Sequence, residues 1–365
     1  MFIDIDLCVK YLGAPAEHWP QAEAAGKWID GDPAAKALAE AALKGFREGN
    51  RGHASFAMSS LKEYAQRMAP GHAEGVVPAV FAAALPQTIE RLRAEGMPEA
   101  LILDTLSDYG TWAKYYLRHT GKVGIGEFGW ESNFHSGVIV KLGRVQFETC
   151  LFPVPYSIYR HRVTGEIIPV LHDGEGVNAD GFLALDDPAA FKAVMKIEDG
   201  RLICSRTDTK RARVLNETVE YAMADLELLI TQGMPVLNMH IPEVGPLTDE
   251  SVGESLAMAK EYFTAKGYPC AVAICESWLL DPALRECVSG PSNIIDYQNR
   301  FTLFPWDGDH SDTVNRVFGR GTDVSNPDAL PEDTSLRRGV KAYLKTGNPL
   351  RDAGGLCPLT IAAAQ

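Results

Sequence analysis

The stretch VLNMHIPEVGPLTDES, residues 236–251, opens as a buried strand and closes as the first turn of a helix, with His240 at the junction. Strand tips that feed helix N-termini are where α/β folds bind anions and do chemistry. An imidazole titrates near neutrality, so His240 can take a proton from an amine as a general base. Its alternative role is a strand-end histidine bonded to its loop. Asn238 lies on the same side of the alternating strand. A second apolar run ends at Cys275, Glu276 and Ser277. Glu276 is either a second proton acceptor, with its pKa raised if it is buried, or a structural or surface acid. Cys275 reads as a buried apolar thiol rather than a nucleophile. A third polar set, Asn293, Tyr297, Gln298 and Arg300, precedes another apolar run. Arg300 suits a bidentate contact with phosphate or carboxylate, and equally a structural ion pair. Asn238, Cys275, Ser277 and Asn293 are the expected substrate contacts. His161, His172 and Asp173 have a spacing that fits no ligand motif, so no metal is expected.

The elements that must position these groups fall into two textures. Residues 1–135 read as helices rich in alanine. Asp32 is an N-cap, Pro33 suits the first helical position, Ala34, Leu38, Ala42 and Phe46 form a stripe, and Gly49 stops the helix. Further helices are expected over 60–68, 76–84, 87–95 and 98–117, the last broken near Gly110. After Gly121 the texture changes to β-branched and aromatic runs, as in GVIVKLGRVQFETC and PYSIYRHRVTGEIIPVLH. TVEYAMADLELLITQG, residues 218–233, has helical spacing with Gly233 as its stop. Strand PVLNMHI, a helix from Thr248 and strand CAVAICESWLL then form a β-α-β unit, which implies parallel neighbouring strands. SNIIDYQNRFTLFPW reads as helix then strand, or as strand throughout. Residues 321–365, with one helix over 335–344, read as an extension wrapping the surface. The domains are thus 1–135, 136–320 and 321–365.

Composition sets bounds. The chain has 365 residues, 46% hydrophobic, with net charge -13. An acidic surface repels nucleic acid and anionic membranes, which excludes both as expected partners and leaves a small-molecule substrate. The stretch VVPAVFAAALP is too short to span a membrane. Seven cysteines without a CxxC pair fit reduced thiols, and no basic start precedes an apolar run, so the expected location is the cytoplasm.

The words GWESNFHSGVIVKLGRVQFE, VLNMHIPEVGPL, ICESWLLDPAL and SNIIDYQNRFTLF occur in one order between about Trp112 and Gly319. In them the chain resembles bacterial acyltransferase domain-containing proteins, which join a helical N-acyltransferase N-terminal domain to a GNAT-like C-terminal domain. Trp112, His119, Trp130, Arg144 and Glu148 lie in or beside these words and read as packing. The resemblance implies an α+β fold with a GNAT-like mixed sheet, and acyl-CoA or acetyl-CoA as co-substrate. It also implies that Ile241, Glu243, Val244, Gly245 and Leu247 receive the pyrophosphate on backbone N–H groups, with Arg300 nearby. Tyr297 would protonate the leaving thiolate. The chain departs from the family at two places. Pro242 and Pro246 lack N–H donors, and Glu276 stands where histidine is common.

The expected activity is acyl transfer from a CoA thioester to an amine by direct attack, with His240, Glu276 and Tyr297 catalytic. The alternatives are a non-catalytic ligand-binding protein on the same fold and a hydrolase that uses Cys275.

Overall fold

Asp32 accepts hydrogen bonds from the amides of Ala34 and Ala35 at 2.9 and 3.0 Å, and Pro33 occupies the first helical position. That cap starts one of eight α-helices described in the first 135 residues of a computed structural model. The structure describes residues 1–185, 188–268, 270–306 and 311–359. The helices are Ile5–Leu12 (α1), His18–Gly31 (α2), Pro33–Arg47 (α3), Arg51–Met68 (α4), Val76–Ala94 (α5), Glu99–Leu106 (α6), Asp108–Thr120 (α7) and Phe128–His135 (α8). The helical reading of this region holds, with three differences. The buried stripe of α3 is Ala35, Ala39, Ala42 and Phe46; Ala34 points outward. α5 is continuous where two helices were expected, because burial on most of its surface outweighs the donor that Pro86 removes. The break between α6 and α7 falls at Ser107, not Gly110.

The chain continues through strands Ile139–Leu142 (β1), Val145–Leu151 (β2), Tyr156–His161 (β3), Ile167–Leu171 (β4), Gly176–Val177 (β5), Phe191–Lys192 (β6), Met195–Glu198 (β7), Arg201–Asp208 (β8), Arg213–Ala222 (β9), Leu226–Thr231 (β10) and Pro235–His240 (β11). Helix Asp249–Ala265 (α9), strand Val272–Ser277 (β12), helices Leu284–Cys287 (α10) and Asn293–Asn299 (α11), and strand Thr302–Pro305 (β13) follow. Helices Ser311–Phe318 (α12) and Ser335–Lys345 (α13) and strand Ala353–Pro358 (β14) complete the order. Two compact units result: Met1–Glu148 with Ile241–Gly245, and Thr149–His240 with Pro246–Gln365.

In the second unit β11 and β12 run parallel, joined by α9, and the strand order is β11-β12-β14-β13. β14 pairs antiparallel with both β12 and β13, so the sheet is mixed. This is the expected α+β arrangement. Two readings are corrected. Residues 218–233 are not an α-helix: apart from a 3-10 turn over Met223–Asp225 they are strand as far as Thr231, β9 paired with β8 and β10 with β3. Thr218, Glu220 and Ala222 face solvent while Val219 and Tyr221 turn inward, a period of two that the leucine-rich end of the segment masked. The Gly-rich end of the chain is not a surface wrap, since β14 lies buried between two strands. Its glycines are required there. A Cβ on Gly354 would lie 2.2 Å from the Trp306 ring, and one on Gly355 would lie 2.8 Å from both Leu280 and Phe301. SNIIDYQNRFTLFPW is resolved as helix α11 followed by strand β13.

The first unit buries a polar cluster from the GWESNFH word. Asp108 accepts from Gln146 at 2.7 Å and from Trp112 at 3.0 Å. No donor among the described residues reaches either Glu131 oxygen, and the group it faces is the Asp108 carboxyl. Two carboxyl groups can bond only if one keeps its proton. Burial, then the Asp108 charge, holds Glu131 well above the usual carboxylate range, so Glu131 carries it. His135 is buried between Phe46 and Phe81, and burial pushes its pKa down to about 3, leaving a neutral ring.

Two outcomes follow from this packing. Gly354→Ala should destabilise the fold by about 1–3 kcal/mol through overpacking against Trp306, read as a lower urea midpoint. A carboxyl whose folded pKa is raised contributes stability that is complete below its unfolded pKa, about 4.3, and is lost as pH rises through the folded value. Stability should therefore fall as pH rises through the neutral range, and Glu131→Gln should flatten that fall in a pH series of urea midpoints. An unchanged slope would show that Glu131 is ionised in the folded chain.

Candidate functional site

Strand alternation decides which side chains meet. On β11, Val236, Asn238 and His240 share one face; on β12, Val272, Ile274 and Glu276 share the matching face, because Asn238 is registered with Ile274. The lower part of this face is apolar, with Val236, Val272, Ile274, Leu356, Phe304 and Trp306 in one core cluster. It turns polar only at the strand ends, where Asn238 and His240 are half-buried and Glu276 is exposed. The registered pairs are Leu237–Ala273 and Asn238–Ile274. Both strands run beyond them, to His240 and Ser277, without a further registered pair. His240 and Glu276 therefore project from one face at the ends of parallel strands. The Asn238 amide lies 3.4 Å from His240 Nε2, a long contact that orients the ring.

Glu276 is exposed rather than buried. The acid that is raised in this corner is one the sequence reading missed. Asp352 precedes β14, is 6% exposed, and is pushed up to about 8 by burial, with smaller contributions from Asp281, Asp312 and Glu276. Thr313 Oγ1 bridges Asp281 at 3.2 Å and Asp352 at 3.1 Å. One hydroxyl has one proton, so both contacts are satisfied only when a carboxyl also donates. Asp281, read from sequence as a helix cap, does more: it accepts from the amides of Ala283 at 2.9 Å and Arg351 at 3.0 Å, and burial pushes it up to about 7. Nothing in the turn-like text LRDAGG signals Asp352; its role follows from the strand that begins after it.

Cys275 and Tyr297 belong to the opposite face. Tyr297 is buried, and its hydroxyl lies 3.5 Å from Cys275 Sγ. Burial pushes the Cys275 thiol up to about 12, which leaves it a thiol at neutral pH. The structure thus brings His240, Asn238 and Glu276 together and sets Tyr297 and Cys275 apart from them by the thickness of the sheet. Ser277 accepts from the Leu279 amide at 3.2 Å and caps the short turn Trp278–Leu280, where a continuing strand was expected. Asn293 is exposed at the start of α11.

In the elbow after His240, Gly245 takes φ +60, a left-handed conformation that glycine adopts without penalty, and a Cβ there would meet nothing within 4 Å. The Val244 amide donates to Pro242 at 2.9 Å. That leaves the amides of Glu243 and Gly245 as the donors this part of the elbow can offer. Arg144, read from sequence as packing, donates to the carbonyls of Pro242 at 3.0 Å and Gly245 at 3.2 Å. Ile241 and Val244 are half-buried and Glu243 is exposed. Within the second unit, Leu247 is half-buried and Thr248 caps α9, accepting from the Ser251 amide at 3.2 Å. Arg300 is paired with the Asp249 carboxylate and donates to the Asp249 carbonyl at 2.6 Å, so it fastens α11 to the start of α9. His161 accepts from the Val163 and Thr164 amides, His172 lies 3.1 Å from Ser157 Oγ, and Asp173 accepts from Met195. Among the described residues no group of three metal-ligating side chains is found, and no helix is long and apolar enough to cross a membrane.

Comparison with known proteins adds the family. Residues 4–137 match the N-acyltransferase N-terminal domain and residues 139–357 match the GNAT-like C-terminal domain. No curated protein matches. Among solved structures, an acyltransferase in complex with CoA and 10C-teicoplanin aligns at 22% identity and TM-score 0.62, covering 97% of this chain and 87% of that one. An acyltransferase in complex with decanoyl-CoA aligns at 21% identity and TM-score 0.61, with the same coverage. At these identities the likeness is one of fold. On its two domain matches, the chain belongs to the family of acyltransferase proteins in which an N-acyltransferase N-terminal domain precedes a GNAT-like C-terminal domain.

Proposed function

We propose that this protein transfers an acyl group from an acyl-CoA thioester to an amine. The observation that carries the reading is the placement of His240 and Glu276 on one face at the ends of two parallel strands. The neighbours' complexes with CoA and decanoyl-CoA support the choice of donor, and the complex with 10C-teicoplanin supports an acceptor of small-molecule size. In the elbow the amides of Glu243 and Gly245 are the groups that would receive the donor's pyrophosphate, and Gly245 leaves room for close approach.

The chemistry assigned to the strand tips needs no covalent enzyme intermediate. The amine nitrogen attacks the thioester carbon as His240 takes its proton. The tetrahedral intermediate then collapses, the C–S bond breaks, and CoA leaves as thiol once it has gained a proton. Glu276, exposed and anionic, draws a cationic amine to the strand tips and serves as second proton acceptor. Tyr297, buried against Cys275 on the other face, is assigned to holding α11 on the sheet rather than to the leaving group.

The test is release of CoA thiol from octanoyl- and decanoyl-CoA in the presence of an amine panel. His240→Ala and Glu276→Gln should each lower turnover by about a hundredfold or more, with unchanged melting temperature. Near-normal turnover in both variants would remove this site. Cys275→Ala should keep turnover near the parent value, since a buried thiol of this kind supplies no thiolate; its loss together with protection from alkylation by substrate would favour a cysteine-dependent hydrolase.

A further inference from the structure

A cavity of about 360 Å³ lies within the second unit, lined by side chains other than Asn238, His240 and Glu276 of the strand tips. Five cationic residues line it: Lys210 and Arg211 from the turn between β8 and β9, Arg213 at the start of β9, Arg285 of α10, and Arg351 just before β14. Asp281 and Glu286 are the two acids present. In a chain of net charge -13 such convergence runs against the background field.

The guanidiniums are poorly answered by the protein. Those of Arg213 and Arg351 lie 5.5 and 5.4 Å from the centre of the same Phe182 ring, so each is held against an aromatic ring. Arg351 Nε is buried and has no hydrogen-bond partner among the described residues. A buried donor left unsatisfied is costly, and in native structures it marks a missing acceptor. Arg285 gives one N–H to the neutral Asn299 side chain at 3.0 Å, and burial lowers its pKa. The carboxylate nearest Arg211 is Asp208, at 3.8 Å. Asp281 is engaged by two backbone amides and Thr313 and also feels the Arg351 charge, and Glu286 is the other acid in the lining.

We propose that this cavity binds a phosphate-bearing small molecule distinct from the acyl donor. Guanidinium forks that converge from separate elements match a tetrahedral polyanion, which accepts several charge-assisted hydrogen bonds at once. The volume suits a ligand of metabolite size. Phosphate oxygens would supply the acceptor that Arg351 Nε lacks.

Isothermal titration of the full chain with inorganic pyrophosphate tests this without any acyl donor, and because the elbow would also accept pyrophosphate, substitutions confined to the cavity and competition by CoA tell the two sites apart. The parent should bind, and Arg213→Ala and Arg351→Met should each weaken binding by about tenfold or more. Saturating CoA should leave the pyrophosphate affinity unchanged, and both variants should retain the parent's CoA affinity. Should Arg351→Met fail to fold, Lys210→Ala on the exposed turn takes its place, with the same loss expected. Absence of binding to the parent, binding indifferent to these substitutions, or displacement of pyrophosphate by CoA would each overturn the proposal.

Discussion

The face that carries His240 and Glu276 depends on a strand with almost no side chain at its centre. Gly354 and Gly355 of β14 let Trp306 and Phe304 cover one face of the sheet while Phe301 and Leu280 press against the other. Close packing from both sides fixes β14, and β14 in turn fixes β12 along six registered pairs from Val272–Pro358 to Ser277–Ala353. The orientation of Glu276 outward, and of Cys275 inward, is set by that ladder. A shift of one residue would exchange the two and put a carboxylate against Tyr297. The apolar lower half of the face, from Val236 to Trp306, holds the same register from the core side.

Beside this frame the polar groups divide by depth. His240 and Glu276 stand at the strand ends, in contact with solvent, where proton exchange is quick. Asp281, Thr313 and Asp352 lie beneath, where burial favours neutral carboxyl groups and makes each proton part of the packing. Glu131 and Asp108 repeat that pattern among the helices of the first unit. In each unit, then, a buried pair of acids relies on a retained proton, directly between Glu131 and Asp108 and through the Thr313 hydroxyl between Asp281 and Asp352.

Much of the frame was legible in the sequence. Asp32–Pro33 marks a helix start by local chemistry alone, and the β-α-β unit through His240 and Glu276 follows from two apolar runs around a capped helix. What was hidden depends on partners distant in the chain. Residues 218–233 contain leucines at helical spacing, yet β8 and β3 supply the ladders that make them strands. The AGGLCP text of β14 has the composition of a loop; only Trp306, Phe301 and Leu280 make glycine the residue that fits. Asp352 inherits its environment from that strand. The separation of Tyr297 from His240 could not be read either, because it depends on which way α11 turns its ring, and spacing does not say.

The placement of β14 has a consequence for how the chain is made. β13 touches β12 only through β14, so synthesis delivers β11, α9, β12 and β13 before the strand that joins them exists. During that interval β12 offers an unpaired edge, and Trp306 and Phe304 have no strand to cover. β11 and β12 can pair directly, and β12 gains its second ladder only once β14 is made and inserts. Until β14 inserts, the open edge of β12 is the part of the sheet most exposed to mispairing.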